Sequence, residues 1–200
     1  MTHCESDVKD IAMGTRSFFS LLLIFISASS WAAVPQKLSG LELNSDSTQP
    51  MSFVPAKAGK ASVIVFLSAK CPCSASHERI LTDLYTEYHA SGFNFIGVHS
   101  NVDEAPDFAR AHFKTSNLPF PVLQDKEANL ANELGAFKTP HVFVISPSGE
   151  ILFQGGVTET HNGPSAKRHY LKDALASVAA GKAPDPKEVR VLGCIIKRTQ

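Results

Sequence analysis

The feature that most constrains the fold of this 200-residue chain is its alternation of strand and helix patterns. Continuous apolar runs rich in β-branched residues alternate with stretches whose apolar residues recur at helical spacing. Strands are predicted at residues 62–68, 93–99, 120–123, 141–146 and 150–154, and helices at 74–89, 105–114, 126–134 and 165–179. The turn-rich segment 34–55 predicts a short N-terminal hairpin. This order predicts an α/β fold with a central mixed sheet flanked by helices.

The composition excludes several classes of protein. The chain carries 19 basic and 19 acidic residues, and a nucleic-acid-binding surface needs a basic excess, so no nucleic-acid partner is predicted. An apolar share of 44% is far too high for a disordered chain. Four cysteines are too few for a miniprotein stapled by disulfides, so each cysteine has to be considered individually.

The N-terminus has the pattern of a signal peptide. A nine-residue apolar run, Phe18–Ile26, follows Arg16, and small residues then allow cleavage after Ala32. The run is too short to span a bilayer, which takes about 20 residues. Residues 1–32 are therefore predicted to be a signal peptide, and an uncleaved anchor is the less favoured alternative. Acidic residues near Met1 make Met13 the better start.

The signal predicts an exported protein, periplasmic or secreted, with no stable membrane insertion once the signal is removed. The mature chain divides into a predicted domain, residues 33–180, and a loop-like tail, residues 181–200. Cys71 and Cys73 lie in the domain and Cys194 lies in the tail. An exported chain can keep disulfides between such cysteines.

The chemistry is predicted where the first strand meets the first helix, at Cys71-Pro72-Cys73. Proline is favoured at the first helical position, so Cys71 becomes the N-cap. The positive end of the helix dipole, with help from Lys70, should lower the pKa of the Cys71 thiol below its ordinary value. A thiolate serves disulfide exchange, peroxide reduction and metal binding alike. The competing interpretation, two inert cysteines sealed in the core, is less favoured because the pair flanks a helix-starting proline.

Together with this turn, Thr139-Pro140 ahead of a later strand resembles the thioredoxin-like superfamily. More closely, the chain is similar to exported redoxins of the alkyl hydroperoxide reductase/thiol-specific antioxidant group, from about Leu38 to the terminal Gly-Cys-x-Ile-Lys. The resemblance implies that Pro140 is cis and lies against Cys71, and that the Thr139 backbone pairs with an extended substrate. It implies a substrate groove formed by the following residues: Ser68, Pro72, Thr139 and Pro140. No cofactor is predicted for this chemistry.

Two departures from related families bear on the activity. Thioredoxins have a second cysteine where this chain has Ser74. Peroxiredoxins have a proline where this chain has Ile64, although Ser68-x-x-Cys71 matches the second half of their motif. No arginine lies near Thr139 in the sequence, as one would in a peroxide-reducing enzyme. These differences favour disulfide exchange slightly over peroxide reduction.

The predicted function is that of an exported thiol-dependent oxidoreductase with Cys71 as the nucleophile. Its partners would be a protein disulfide or peroxide substrate and a thiol reductant not identified by the sequence. Cys73 and Cys194 are both candidates for the resolving cysteine, and a Cys73–Cys194 staple that leaves Cys71 free is a third arrangement. The sequence leaves these alternatives open.

A copper carrier is the alternative function. Cys71, Cys73 and His141 would form a soft ligand set suited to Cu(I). The set resembles thioredoxin-like copper chaperones of the cytochrome-oxidase assembly (Sco) type, which bind copper with two cysteines and a histidine. Their cysteines are separated by three residues rather than one, and their histidine aligns with Lys138. His77, four residues after Cys73, could also lie near the cysteines.

Other polar residues are predicted to have no role in the chemistry. Asp103 and Glu104 are interpreted as groups that cap a helix start. No role is assigned to the remaining histidines, which are His89, His99, His112, His161 and His169.

Overall fold

The structure is a computed structural model that describes residues 37–54 and 59–199. The predicted signal peptide, its cleavage after Ala32 and the start at Met13 lie outside the described residues. None of the described helices is long and apolar enough to cross a membrane.

The described chain forms strands and helices in nearly the predicted order. The strands are β1 (Leu38–Leu41), β2 (Pro50–Phe53), β3 (Ala61–Leu67), β4 (Phe93–His99), β5 (Val122–Gln124), β6 (Lys138–Thr139), β7 (His141–Ile145), β8 (Ile151–Gly155) and β9 (Cys194–Ile195). The α-helices are α1 (Pro72–Tyr88), α2 (Pro106–Thr115), α3 (Asn129–Leu134) and α4 (Tyr170–Ala179).

Five strands form the central sheet in the order β5-β4-β3-β7-β8. β3 is parallel to β4 and antiparallel to β7, and β7 pairs antiparallel with β8. All seven residues of β3 are buried, as its continuous apolar pattern predicts for a strand covered on both faces. β1 and β2 form the short N-terminal hairpin. The predicted mixed sheet flanked by helices is therefore confirmed, and the fold is thioredoxin-like.

Alternate residues of the strands point to two apolar clusters, one on each face of the sheet. On the first face, α1, α2 and α4 pack against β3 and β4, with Leu81, Phe113 and Leu171 fully buried. On the second face, α3 packs against Ile64 and Phe66 of β3. Burying each large apolar side chain stabilises the folded state by about 1.5–3 kcal/mol. Because β3 contributes side chains to both clusters, its position is fixed from both faces up to the end at which the cysteine turn begins.

Two predicted helices begin later than the sequence pattern indicates. The helix predicted at 126–134 is divided, because Glu127 and Ala128 both adopt positive φ, and α3 starts only at Asn129. The helix predicted at 165–179 begins at Tyr170. The chain between β8 and this helix contains only a short 3-10 turn, Gly163–Ser165, and carries His161 to the cysteine turn.

Candidate active site

The turn between β3 and α1 has the predicted helix-start geometry. Cys71 is the N-cap of α1 and Pro72 occupies the start of the helix, which confirms the prediction from the sequence. The Cys71 backbone N–H donates to Ser68 Oγ at 3.1 Å, and the Ser68 backbone N–H donates to Ser74 Oγ at 3.1 Å. Ser68 and Ser74 therefore hold the turn through its backbone. Ser74, which stands where a thioredoxin has its second cysteine, has a structural task here.

Cys71 is bonded to Cys194, and their Cα atoms are 5.9 Å apart. Cys73 is free and partly exposed. Of the pairings that the sequence leaves open, the structure thus contains Cys71–Cys194, which joins the domain to its tail across 123 positions, and contains neither Cys71–Cys73 nor Cys73–Cys194. The predicted site residues Cys71, Cys73 and Cys194 all lie in one place.

The tail supplies its half of the disulfide from a short strand, β9, which begins at Cys194. β9 pairs antiparallel with β6, with Cys194 opposite Thr139. The Thr139–Pro140 peptide is cis, as the resemblance implied, and the Thr139 carbonyl oxygen lies 3.3 Å from Cys71 Sγ. The backbone position expected to receive an extended substrate is therefore occupied by the chain itself.

Cys71 is only 2% exposed, which differs from the expectation of a reachable thiolate. The reason is local. Cys71 lines an open cavity of about 190 Å³ together with Cys194 and Ile195, so the C-terminal strand covers the sulfur from the surface side. The lining also includes Lys70 and Lys197. Access to Cys71 depends on this strand rather than on opening of the core.

Cys73 completes a cluster of three sulfur atoms. The Sγ atoms of Cys71, Cys73 and Cys194 all lie within 4.8 Å of one another. The imidazole of His161 joins this cluster, with Nδ1 3.5 Å from Cys73 Sγ. His161 was assigned no role from the sequence. No local signal indicates it, because it lies 88 positions from Cys73 on an irregular segment.

Glu104 was predicted to be a capping group, and that interpretation is wrong. It is only 6% exposed and lies beneath the cysteine turn. Its carboxylate accepts hydrogen bonds from the Ser68 hydroxyl, from the Ala69 backbone N–H at 2.8 Å and from His99 Nε2 at 3.0 Å. Burial raises the pKa of Glu104, but the hydrogen bonds from His99, Ser68 and Ala69 outweigh it and hold that pKa below its usual value. A buried carboxylate therefore fixes the turn from below.

His141 does not join the cysteines. Its ring lies 4.5 Å from that of Phe143 and 5.5 Å from that of Phe137, and it lines a different cavity with Lys138 and Glu188. Burial lowers the pKa of His141 to about 4, so the ring is neutral at neutral pH. The predicted Cu(I) ligand set with His141 is corrected accordingly: the potential ligand group found among the described residues contains Cys194 in its place.

His77 lies near Cys73 but contacts its backbone rather than its sulfur. His77 Nδ1 donates to the Cys73 carbonyl oxygen at 2.7 Å, and Nε2 lies 2.8 Å from Thr158 Oγ1. Burial lowers the pKa of His77. Its role is to connect α1 with the segment that carries His161.

The fold and the site define a class: thioredoxin-like proteins with a cysteine at the start of the first helix and a cis proline beside it. The chain belongs to the Redoxin family, whose match covers residues 37–174. Cys194 lies beyond that match. No curated protein matches the chain.

Solved structures share the fold at low sequence identity. A hypothetical protein from Sinorhizobium meliloti is 21% identical, with a TM-score of 0.71 over 84% of this chain and 93% of that one. An uncharacterized conserved protein from Geobacillus kaustophilus is 19% identical, with a TM-score of 0.69 over 84% and 90%. A putative thiol:disulfide interchange protein DsbE from Chlorobium tepidum is 19% identical, with a TM-score of 0.52 over 61% and 81%. These likenesses establish the architecture alone.

Proposed function

We propose that this protein is an exported thiol–disulfide oxidoreductase in which Cys71 is the nucleophile and Cys194 resolves. The observation that carries the proposal is the Cys71–Cys194 disulfide at the start of α1, beside the cis Pro140. A structural disulfide has no need of a helix N-terminus, whereas a thiolate is stabilised there. The putative interchange protein DsbE among the structural neighbours agrees with this activity.

The proposed reaction consists of two exchanges. The Cys71 thiolate attacks a disulfide of a protein substrate, so that its S–S bond breaks, a mixed disulfide forms and one substrate thiolate leaves. Cys194, as a thiolate, then attacks Cys71 Sγ and releases the second substrate thiolate. The substrate gains two electrons, and the protein is left with the Cys71–Cys194 bond. A dithiol reductant returns both electrons and two protons to the protein.

The surroundings of the cluster support these steps. The N-terminus of α1 stabilises the Cys71 thiolate, both as the nucleophile of the first exchange and as the leaving group when the dithiol reductant attacks Cys194 in the Cys71–Cys194 bond. Lys70 and Lys197 line the cavity beside Cys194 and favour a negative sulfur there. Glu104 positions the turn through Ser68, whose hydroxyl accepts the Cys71 backbone N–H. Glu104 is therefore a positioning residue.

Peroxide reduction is less well supported than disulfide exchange. Among the described residues, the cavity beside Cys71 is lined by two lysines and no arginine. Ile64, which stands at the proline position of the peroxiredoxin motif, is a fully buried residue of β3. Neither the charge pattern nor the turn thus supplies the groups that activate an O–O bond in the related enzymes.

Export is supported by the signal pattern of residues 1–32 and by the disulfide itself. Disulfides persist in oxidising compartments and are rare where thiols are kept reduced. The proposed compartment is the periplasm or the exterior.

The wild-type protein tests the activity directly. It should accelerate the reduction of insulin by dithiothreitol, because insulin supplies accessible disulfides, while its consumption of hydrogen peroxide stays near the background rate. Peptide mapping after one turnover should find the Cys71–Cys194 bond. Absence of insulin reduction would refute the oxidoreductase, and fast peroxide consumption would reverse the choice between the two substrates.

A second candidate function, a Cu(I) carrier, is favoured by the three-sulfur cluster. Three thiolates are soft donors, and the three Sγ atoms lie within 4.8 Å of one another in the disulfide-bonded structure, so that reduction of the bond would leave three donors in one place for a single ion. The partly exposed Cys73 and the neighbouring His161 would give the ion a route from the surface.

Anaerobic titration against a chromogenic Cu(I) chelator tests the carrier. The reduced protein should take up one Cu(I), and the oxidised protein none, because the disulfide removes two of the donors. Cys73→Ser should weaken the affinity at least about tenfold, and His141→Leu should leave it unchanged because His141 lies outside the cluster. Equal uptake by the oxidised and reduced forms would exclude this site.

A further inference from the structure

We propose that the C-terminal segment, residues 192–197, occupies the substrate groove in the way a substrate peptide does. Its sequence then indicates which class of peptide the groove binds. That class is an extended peptide with the pattern Gly-Cys-x-aliphatic. The inference rests on the proposed function and goes beyond it, because it names the residues that a partner must carry on either side of its cysteine.

The segment is held through its backbone on one side by β6. Cys194 lies opposite Thr139 in antiparallel register, and the Ile196 backbone N–H donates to the Phe137 carbonyl oxygen at 3.0 Å. Backbone pairing of this kind selects a peptide in an extended conformation and does not depend on the identity of its side chains. It also places the cysteine of the bound strand at Cys71.

A second set of hydrogen bonds holds the segment from the loop after β4. The Lys197 backbone N–H donates to Asn101 Oδ1 at 2.8 Å, and the Val102 backbone N–H donates to the Lys197 carbonyl oxygen at 3.1 Å. The Asn101 side chain is buried, so its amide is a fixed part of the groove. The segment therefore bridges β6 and this loop as a bound peptide would.

The position before the cysteine accepts only glycine. Gly193 has a φ of +155°, and a Cβ atom placed there would collide with the Thr139 carbonyl oxygen. That oxygen belongs to the residue before the cis proline and contacts Cys71 Sγ, so it cannot move aside without disturbing the site. A side chain at this position would push the backbone off the groove.

The two positions after the cysteine differ sharply. Ile195 is 64% exposed, so almost any residue fits there. Ile196 is only 2% exposed and packs in the cluster that contains Ile64 and Phe66. A polar residue at this second position would lose its hydration without gaining a partner. The groove therefore discriminates at the residue before the cysteine and at the second residue after it.

Peptide exchange kinetics test this inference. We would use the full chain with Cys4, Cys73 and Cys194 replaced by Ser, which leaves Cys71 as the only thiol, and with Ile196 replaced by Asp, which removes the apolar contact that holds the C-terminal segment in the groove. The probe is the peptide Leu-Gly-Cys-Ile-Ile-Lys with its thiol capped by glutathione as a disulfide. The Cys71 thiolate attacks the peptide sulfur, forms a mixed disulfide with the peptide and releases glutathione thiolate. Mass spectrometry follows the adduct over time.

Three single-residue peptide variants complete the series. Alanine in place of the glycine, and aspartate in place of the second isoleucine, should each react at least about tenfold more slowly than the parent peptide. Aspartate in place of the first isoleucine is the matched control, because it adds the same charge one position earlier, and it should react at nearly the parent rate.

Equal rates for all four peptides would overturn the proposal that the groove selects peptides by the residue before the cysteine and the second residue after it. Oxidised glutathione supplies the separate check on the proposed function. Reaction of Cys71 with oxidised glutathione but no discrimination among the peptides would reject the substrate class alone. No reaction with either kind of disulfide would reject the oxidoreductase and the substrate class together.

Discussion

Replacement of Cys71 by Ser is expected to reduce the rate of insulin disulfide reduction by at least about a thousandfold, as the loss of an essential nucleophile does in other enzymes. The hydroxyl of serine is not ionised at neutral pH, and neither Cys73 nor Cys194 occupies the N-cap of α1. The measurement is the dithiothreitol-dependent turbidity of insulin at matched protein concentrations.

Cys73→Ser is the matched control, since it makes the same atomic change two positions away in the first turn of α1. Cys73 is partly exposed and takes no part in the disulfide. This variant should keep a rate within about threefold of wild type. A large loss in Cys73→Ser together with a small one in Cys71→Ser would exchange the roles of the two cysteines.

Loss of the disulfide is expected to lower the free energy of unfolding by about 3–5 kcal/mol. Cys71 and Cys194 are separated by 123 positions, so their bond restricts a large part of the unfolded chain. The test compares urea unfolding of oxidised wild type with that of Cys194→Ser. The substitution removes the bond and leaves the backbone pairing of β9 with β6 possible.

The same Cys73→Ser variant serves as the stability control, because its sulfur is unbonded. Its free energy of unfolding should stay within about 1 kcal/mol of wild type. A decrease of less than about 1 kcal/mol in oxidised Cys194→Ser would show that the tail adds little to the stability of the domain.

Local patterns predicted the frame of the site correctly. The continuous apolar run of β3 indicated a doubly covered strand, and Pro72 indicated where α1 begins and which cysteine caps it. The resemblance implied the cis bond before Pro140. These predictions succeed because strand burial and helix initiation depend on neighbouring residues, whose spacing is visible in the sequence.

The contents of the site were harder to predict. Glu104 looked like a surface capping group, yet it lies buried 36 positions from Ser68, which donates to it. His161 had no local signal, and His141 was placed with the cysteines although its ring packs against Phe143. Each of these outcomes depends on how distant segments are brought together, which local spacing does not encode.

By itself, the sequence determined that this chain forms an α/β sheet and that a cysteine stands at the start of a helix. Only the tertiary structure decided that Cys194 pairs with Cys71 and that the C-terminal strand lies in the groove. The physical reason is the sequence separation between the residues that make the deciding contacts. Helix and strand patterns arise from contacts a few residues apart, whereas the pairing of β9 with β6 joins segments more than fifty positions apart. That pairing depends on packing, such as the burial of Ile196, that exists only once the sheet has formed.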